Sequence, residues 1–126
     1  MDHAAFRAFH AKIQDPEVFN EVARTQDYLD YVQHMSECDS CSDLYMADAV
    51  KRRGARVEDY PCVHIAYRET FALGSPDPDN DPDVIIRRFS DGGFGIPVRD
   101  GGPSMVVINY CPWCGVKLPV AGQVEA

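Results

Sequence analysis

Two pairs of cysteines carry the most specific chemistry in this sequence. Cys111 and Cys114 stand in "NYCPWCGVKLP", and Cys38 and Cys41 repeat the spacing in "CDSC". A C-x-x-C step followed by glycine builds a metal knuckle. The tight turn brings both sulfurs to one side, backbone N–H groups past the first cysteine point at its thiolate, and Gly115 supplies the positive φ that closes the turn. Two such pairs suggest a tetrahedron of four thiolates from Cys38, Cys41, Cys111 and Cys114. Zinc suits such a closed site, and iron in a rubredoxin-like site has the same ligand chemistry.

The two pairs are about 70 residues apart, against about 15–20 in the common ribbon pattern. Closing so long a loop costs roughly 4 kcal/mol. Structural zinc in small peptides contributes an apparent ~10–16 kcal/mol, so the metal term wins. Cys62 and His64, in "CVH", share one face of an alternating stretch and are alternates for Cys38 or Cys41. The same residues also read as a small buried apolar side chain and a core histidine.

A thiol-based redox protein using a CxxC pair is the alternative. Thioredoxin-type sites open a helix with C-x-x-C, which lowers the thiol pKa. Gly115 and Pro119 keep "CPWC" from opening a helix, whereas "CDSC" does precede a helical pattern. No G-x-S-x-G, H-E-x-x-H or phosphate loop occurs, and His64 lacks the following x-Glu of a deaminase. Four ligands that close a tetrahedron leave no position for water. The zinc is therefore read as structural and the chain as nonenzymatic.

The elements that must position these residues run helices first, strands after. Ala4 to Ile13 sets Phe6, Phe9 and Ile13 on one side. A second helix starts at Asp15-Pro16-Glu17, a capping sequence, and continues to Met35 with Val18, Val22, Thr25, Leu29 and Val32 on one face. Ser42 caps a third, which ends at Gly54. Alternation then predicts strands at "CVHIAY", "DVIIRRF", "FGIPV" and "SMVVINY", with "SDGG" and "RDGG" as glycine connectors. The fold class is α+β, with N-terminal helices followed by a small antiparallel sheet and a zinc-ribbon-like knuckle. "GSPDPDNDPD" is an exposed acidic loop. As a calcium loop it fails, because Pro82 and Arg88 stand where the glycine and the bidentate glutamate belong.

A chain of 126 residues fits one domain. Within it we distinguish a helical extension (1–37), a zinc-ribbon-like α+β core (38–119) and a tail (120–126). The net charge of -8 argues against nucleic acid, which needs cationic surface. It suits a protein partner with a basic surface. Lys51, Arg52, Arg53 and Arg56 read as a solvated face. No apolar run reaches the roughly 20 residues of a membrane helix, and the N-terminus lacks a signal peptide's apolar stretch. The expected location is the cytoplasm, where five cysteines favour metal binding over disulfides.

The tail "GGPSMVVINYCPWCGVKLP", with "DGGFGIPV" and "IAY…F" before it, resembles a family of small bacterial proteins of unknown function. The resemblance covers roughly Cys38 to Pro119. It implies a zinc-ribbon-like domain and no established activity. It also implies a place for Cys62 among the ligands, in the set Cys41, Cys62, Cys111 and Cys114.

Overall fold

The computed structural model describes residues 1–119. Five α-helices come first in the chain: α1 (His3–Lys12), α2 (Pro16–Val22), α3 (Gln26–Glu37), α4 (Asp39–Arg52) and α5 (Val63–Glu69). Three short strands follow: β1 (Arg87–Arg88), β2 (Phe94–Pro97) and β3 (Met105–Ile108). They form one antiparallel sheet in the order β1-β2-β3, with Arg88 opposite Phe94 and Ile96 opposite Val106. The α+β architecture expected from the sequence is therefore present. The chain divides into two compact units, Met1–Tyr45 and the part from Met46 onward.

In the first unit Phe6, Tyr31 and Cys41 are buried together, with Phe9, Ile13 and Tyr28 packed against them. Phe6 and Tyr31 stack with ring centroids 4.7 Å apart. Asp15 caps α2 and Pro16 occupies its first turn, as the sequence predicts. The expected single helix to Met35 is instead two. Thr25 bends the chain between them: its hydroxyl donates to the Val22 carbonyl (2.7 Å) and accepts from the Tyr28 N–H (3.4 Å). A short hydroxyl side chain competes with the helix ladder in this way and caps the next helix. The break resets the phase of the apolar stripe. Tyr31 is buried while Leu29 and Val32 of the expected core face are exposed.

The third helix starts earlier than its expected cap, Ser42. Cys38 is an extended residue (φ -124°, ψ 107°) that ends α3, and α4 begins at the next position. The Cys38 N–H donates to the His34 carbonyl and the Cys38 carbonyl accepts from the Ser42 N–H, both at 2.9 Å. One residue thus serves both helix ends. Past the other end of α4, Gly54 adopts φ +85°, the left-handed conformation that favours glycine.

In the second unit Ile65, Ile86, Phe94, Cys111 and Leu118 form the core. "CVHIAY" is not a strand: Cys62 is the extended N-cap of α5, and Ile65 and Ala66 are buried side by side. Alternation over so short an apolar run does not separate strand from helix. "DVIIRRF" keeps only Arg87–Arg88 as a strand, and Arg99 takes carbonyls just before it. The Arg99 guanidinium donates to Asp81 and Val84 oxygens (both 2.6 Å) and to that of Asp79. Arg53, expected on a solvated face, is tied inward. Its Nη1 donates to the Tyr67 carbonyl (2.6 Å) and the Thr70 hydroxyl (2.9 Å), and its guanidinium lies 4.1 Å from the Phe71 ring centre.

Candidate metal centres

The C-terminal knuckle has the geometry its spacing predicts. The strand β3 leads into Cys111, and the chain returns at Lys117, which bridges Tyr110. Backbone bonds close the loop: Cys111 N–H to the Val116 carbonyl (2.9 Å), Gly115 N–H to the Cys111 carbonyl (2.9 Å) and Leu118 N–H to the Asn109 carbonyl (2.8 Å). Gly115 takes φ +77°. The N–H groups of Trp113 and Cys114 point at Cys111 Sγ, at 3.4 and 3.5 Å. Burial raises the Cys111 thiol pKa, but those two N–H groups, with the neighbouring thiols, outweigh it and bring the pKa below its ordinary value. Oriented N–H dipoles favour the anionic sulfur that a metal requires.

Two further candidate ligands come from the start of α5. The ligand atoms of Cys62, His64, Cys111 and Cys114 all lie within 4.8 Å of one another. The extended N-cap conformation of Cys62 and the first turn of the helix place the 62 and 64 side chains at the knuckle. Burial pushes the Cys62 thiol up to about 12, and Cys111 and Cys114 push in the same direction against the Ile65 N–H. Crowded thiols resist ionising together, and a divalent cation reverses that balance. Three sulfurs and one imidazole form a recognised structural zinc set. The Arg68 guanidinium stands 5.2 Å from the Trp113 ring centre and ties α5 to the knuckle.

Cys38 and Cys41 find different companions. Their sulfurs lie with His3 and His34 in a second group, whose ligand atoms are again within 4.8 Å of one another. His3 Nδ1 is 3.3 Å from Cys41 Sγ and 3.7 Å from Cys38 Sγ, and His34 Nε2 is 3.3 Å from Cys41 Sγ. The Cys38 thiol pKa is lowered, first by the Ser40 hydroxyl at 3.3 Å and then by the Cys41 N–H. That of Cys41 is raised, chiefly by burial and then by Cys38. The cysteines that sequence spacing joined into one tetrathiolate are thus gathered into two groups. The alternates Cys62 and His64 stand with Cys111 and Cys114.

His3 and His34 were absent from the sequence-derived ligands. A signal for His34 existed: His34, Cys38 and Cys41 are spaced four and three apart, the step of a helical face. His3 carries no such signal, since only the packing of α1 brings it near.

A family model described as Domain of unknown function (DUF6980) matches residues 60–124, just over half of the chain. The chain belongs to the DUF6980 family. Neither the curated proteins nor the solved structures contain a match to it. The DUF6980 segment includes Cys62, His64, Cys111 and Cys114. It begins after Cys38 and Cys41, so the family match is shorter than the resemblance, which reached back to Cys38. Among the described residues no helix is long and apolar enough to cross a membrane.

Proposed function

We propose that this chain is a nonenzymatic protein-binding module whose DUF6980 domain is built around a structural zinc ion. One observation carries the metal reading: Cys62, His64, Cys111 and Cys114 converge within 4.8 Å although the chain separates them into two segments. Three thiolates and one imidazole fill a tetrahedron, so no position remains for substrate or activated water. Cys62 and His64 here take the places first given to Cys38 and Cys41. Soft thiolates favour zinc over the hard cations.

The binding role is supported by charge and exposure. The net charge is -8, and Asp77, Asp79 and Asp83 are exposed on the loop before β1. Tyr110 and Trp113 flank the knuckle and are exposed, an arrangement suited to aromatic anchors at an interface. The partner is a protein with a basic surface, of the kind that immunity, antitoxin and phage-type inhibitor proteins engage. The chain works in the cytoplasm.

Elemental analysis of the purified, reduced protein tests the metal. Zinc is retained through gel filtration, one equivalent of it is lost in Cys111→Ser, and chelation lowers the melting temperature. Metal-free protein that melts identically with and without EDTA ends the reading. Failure to recover a stoichiometric protein partner from native extract removes the binding role while leaving the zinc.

The thiol-redox reading has one observation of its own. Cys38 immediately precedes α4, and its thiol pKa is lowered. Oxidation would join its sulfur to that of Cys41, passing two electrons to a disulfide partner whose two sulfurs leave as thiols. Thiol titration with and without chelator tests it: a redox pair cycles reversibly and masks no thiols behind metal.

A further inference from the structure

We propose a second zinc site, in the helical unit outside the DUF6980 segment, formed by His3, His34, Cys38 and Cys41. Zinc holds sulfur at about 2.3 Å and nitrogen at about 2.0–2.1 Å in a tetrahedron. Those lengths set nitrogen and sulfur about 3.6 Å apart along the tetrahedron's edges. Three of the four nitrogen–sulfur separations are 3.3, 3.3 and 3.7 Å. All four ligand atoms fall within 4.8 Å of one another. Three edges of the site thus already lie close to the lengths the ion needs.

The imidazoles decide between a metal and a simple dithiol. A redox pair needs two sulfurs and an approach path. Here two rings from two helices close on the same thiols, their planes 89° apart with centroids separated by 5.3 Å. Perpendicular rings can each aim one nitrogen at a common point without clashing. Two thiolates neutralise the dication, so the filled site adds no net charge to the core formed by Phe6, Tyr31 and Cys41.

The surroundings hold the ligands in place. Asp2 caps α1 by accepting the Ala5 N–H at 2.7 Å, which fixes the turn that carries His3. The Cys38 N–H bond to the His34 carbonyl fixes the bend between α3 and α4. The ion would therefore clamp the start of α1 to the α3–α4 junction. It fills separately from the DUF6980 site, giving two zinc ions per chain.

The test is metal content of the full reduced chain, with cobalt as a spectroscopic replacement. Zinc per chain is two in the native protein and one in His3→Ala/His34→Ala. It is also one in Cys62→Ser/Cys111→Ser, where the remaining ion is the one proposed here. Cobalt titration of the native chain, which does not depend on any variant folding, saturates at two equivalents with two distinct thiolate charge-transfer spectra. His34→Cys keeps two ions and strengthens the charge-transfer band of one. Saturation at one equivalent that His3→Ala/His34→Ala leaves in place, or unchanged zinc in that variant, overturns the second site. Unchanged zinc in Cys62→Ser/Cys111→Ser instead overturns the DUF6980 site and leaves this one standing.

Discussion

His34 Nε2 and Cys41 Sγ lie 3.3 Å apart although the two residues are seven positions apart in the chain. In a continuous helix seven residues rise about 10.5 Å. The extended conformation of Cys38 folds that distance away. A single non-helical residue therefore does two jobs: it ends one helix, and it turns the next one back so that ligands from both can meet.

Asp2 has the corresponding role for the first helix. Replacement by alanine removes the acceptor of the Ala5 N–H and costs about 1 kcal/mol. Asp2→Ala lowers the urea midpoint of the helical unit, whereas Asp2→Asn retains it. Equal midpoints for all three proteins would show that the cap contributes nothing.

Gly115→Ala meets no atom within 4 Å, so space is not the obstacle. The backbone is, because φ is +77°. A side chain in the left-handed region costs about 1–2 kcal/mol. Gly115→Asn recovers part of it, since asparagine visits that region more easily. Denaturation of the metal-loaded proteins measures both, and identical stabilities would refute the conformational account.

Gly95 fails in the opposite way. A Cβ there would stand 2.8 Å from the Phe89 ring and 3.0 Å from the Val106 carbonyl oxygen. Gly95→Ala destabilises by about 1–3 kcal/mol through overpacking. Phe89→Leu in the same chain relieves part of that loss, and a double-mutant cycle reads the coupling. Strictly additive effects would mean that the ring is not what excludes the methyl group.

Arg53→Lys keeps the charge but loses the planar fork that reaches the Tyr67 carbonyl and the Thr70 hydroxyl. Losing charge-assisted hydrogen bonds inside the unit costs about 1.5–3 kcal/mol. Arg52→Lys is the control, since Arg52 pairs with Asp48 at an exposed surface. Equal melting temperatures for the two variants would contradict the inward role of Arg53.

Asp81 has a lowered pKa, first because its carboxylate accepts the Asp83 N–H at 2.9 Å, and then through Ser75 and Arg99. The folded pKa lies below the unfolded one, so the unfolded chain takes up the proton first as pH falls. Its stabilising contribution is complete above the ordinary aspartate range and disappears as pH drops through the folded pKa. Carboxyl-carbon NMR places the Asp81 midpoint below the ordinary aspartate value. A midpoint at that value would remove the hydrogen-bonded turn as a cause of any shift.

The knuckle was the most legible part of the sequence, because a C-x-x-C-G step has few conformations that satisfy both sulfur and backbone. The order of helices before strands was legible too. The partners of the cysteine pairs were legible only in part: Cys62 and His64 stood as alternates, whereas His3 and His34 did not appear. Matching C-x-x-C to C-x-x-C follows ligand type, but packing brings together whatever its elements carry. His3 arrives on a separate helix, and Cys62 and His64 arrive on a helix that alternation presents as a strand. The break at Thr25 was hidden by a stripe that continues through it, so Leu29 and Val32 were expected inside although they face solvent.

The strand β3 ends the sheet among the described residues, and its Val106 and Val107 are both exposed. One flank of an uncharged four-residue "MVVI" segment is thereby left to template another copy. With zinc holding the knuckle that follows this strand, as proposed, chelator-stripped protein would self-associate along this edge and stay dispersed when zinc is supplied.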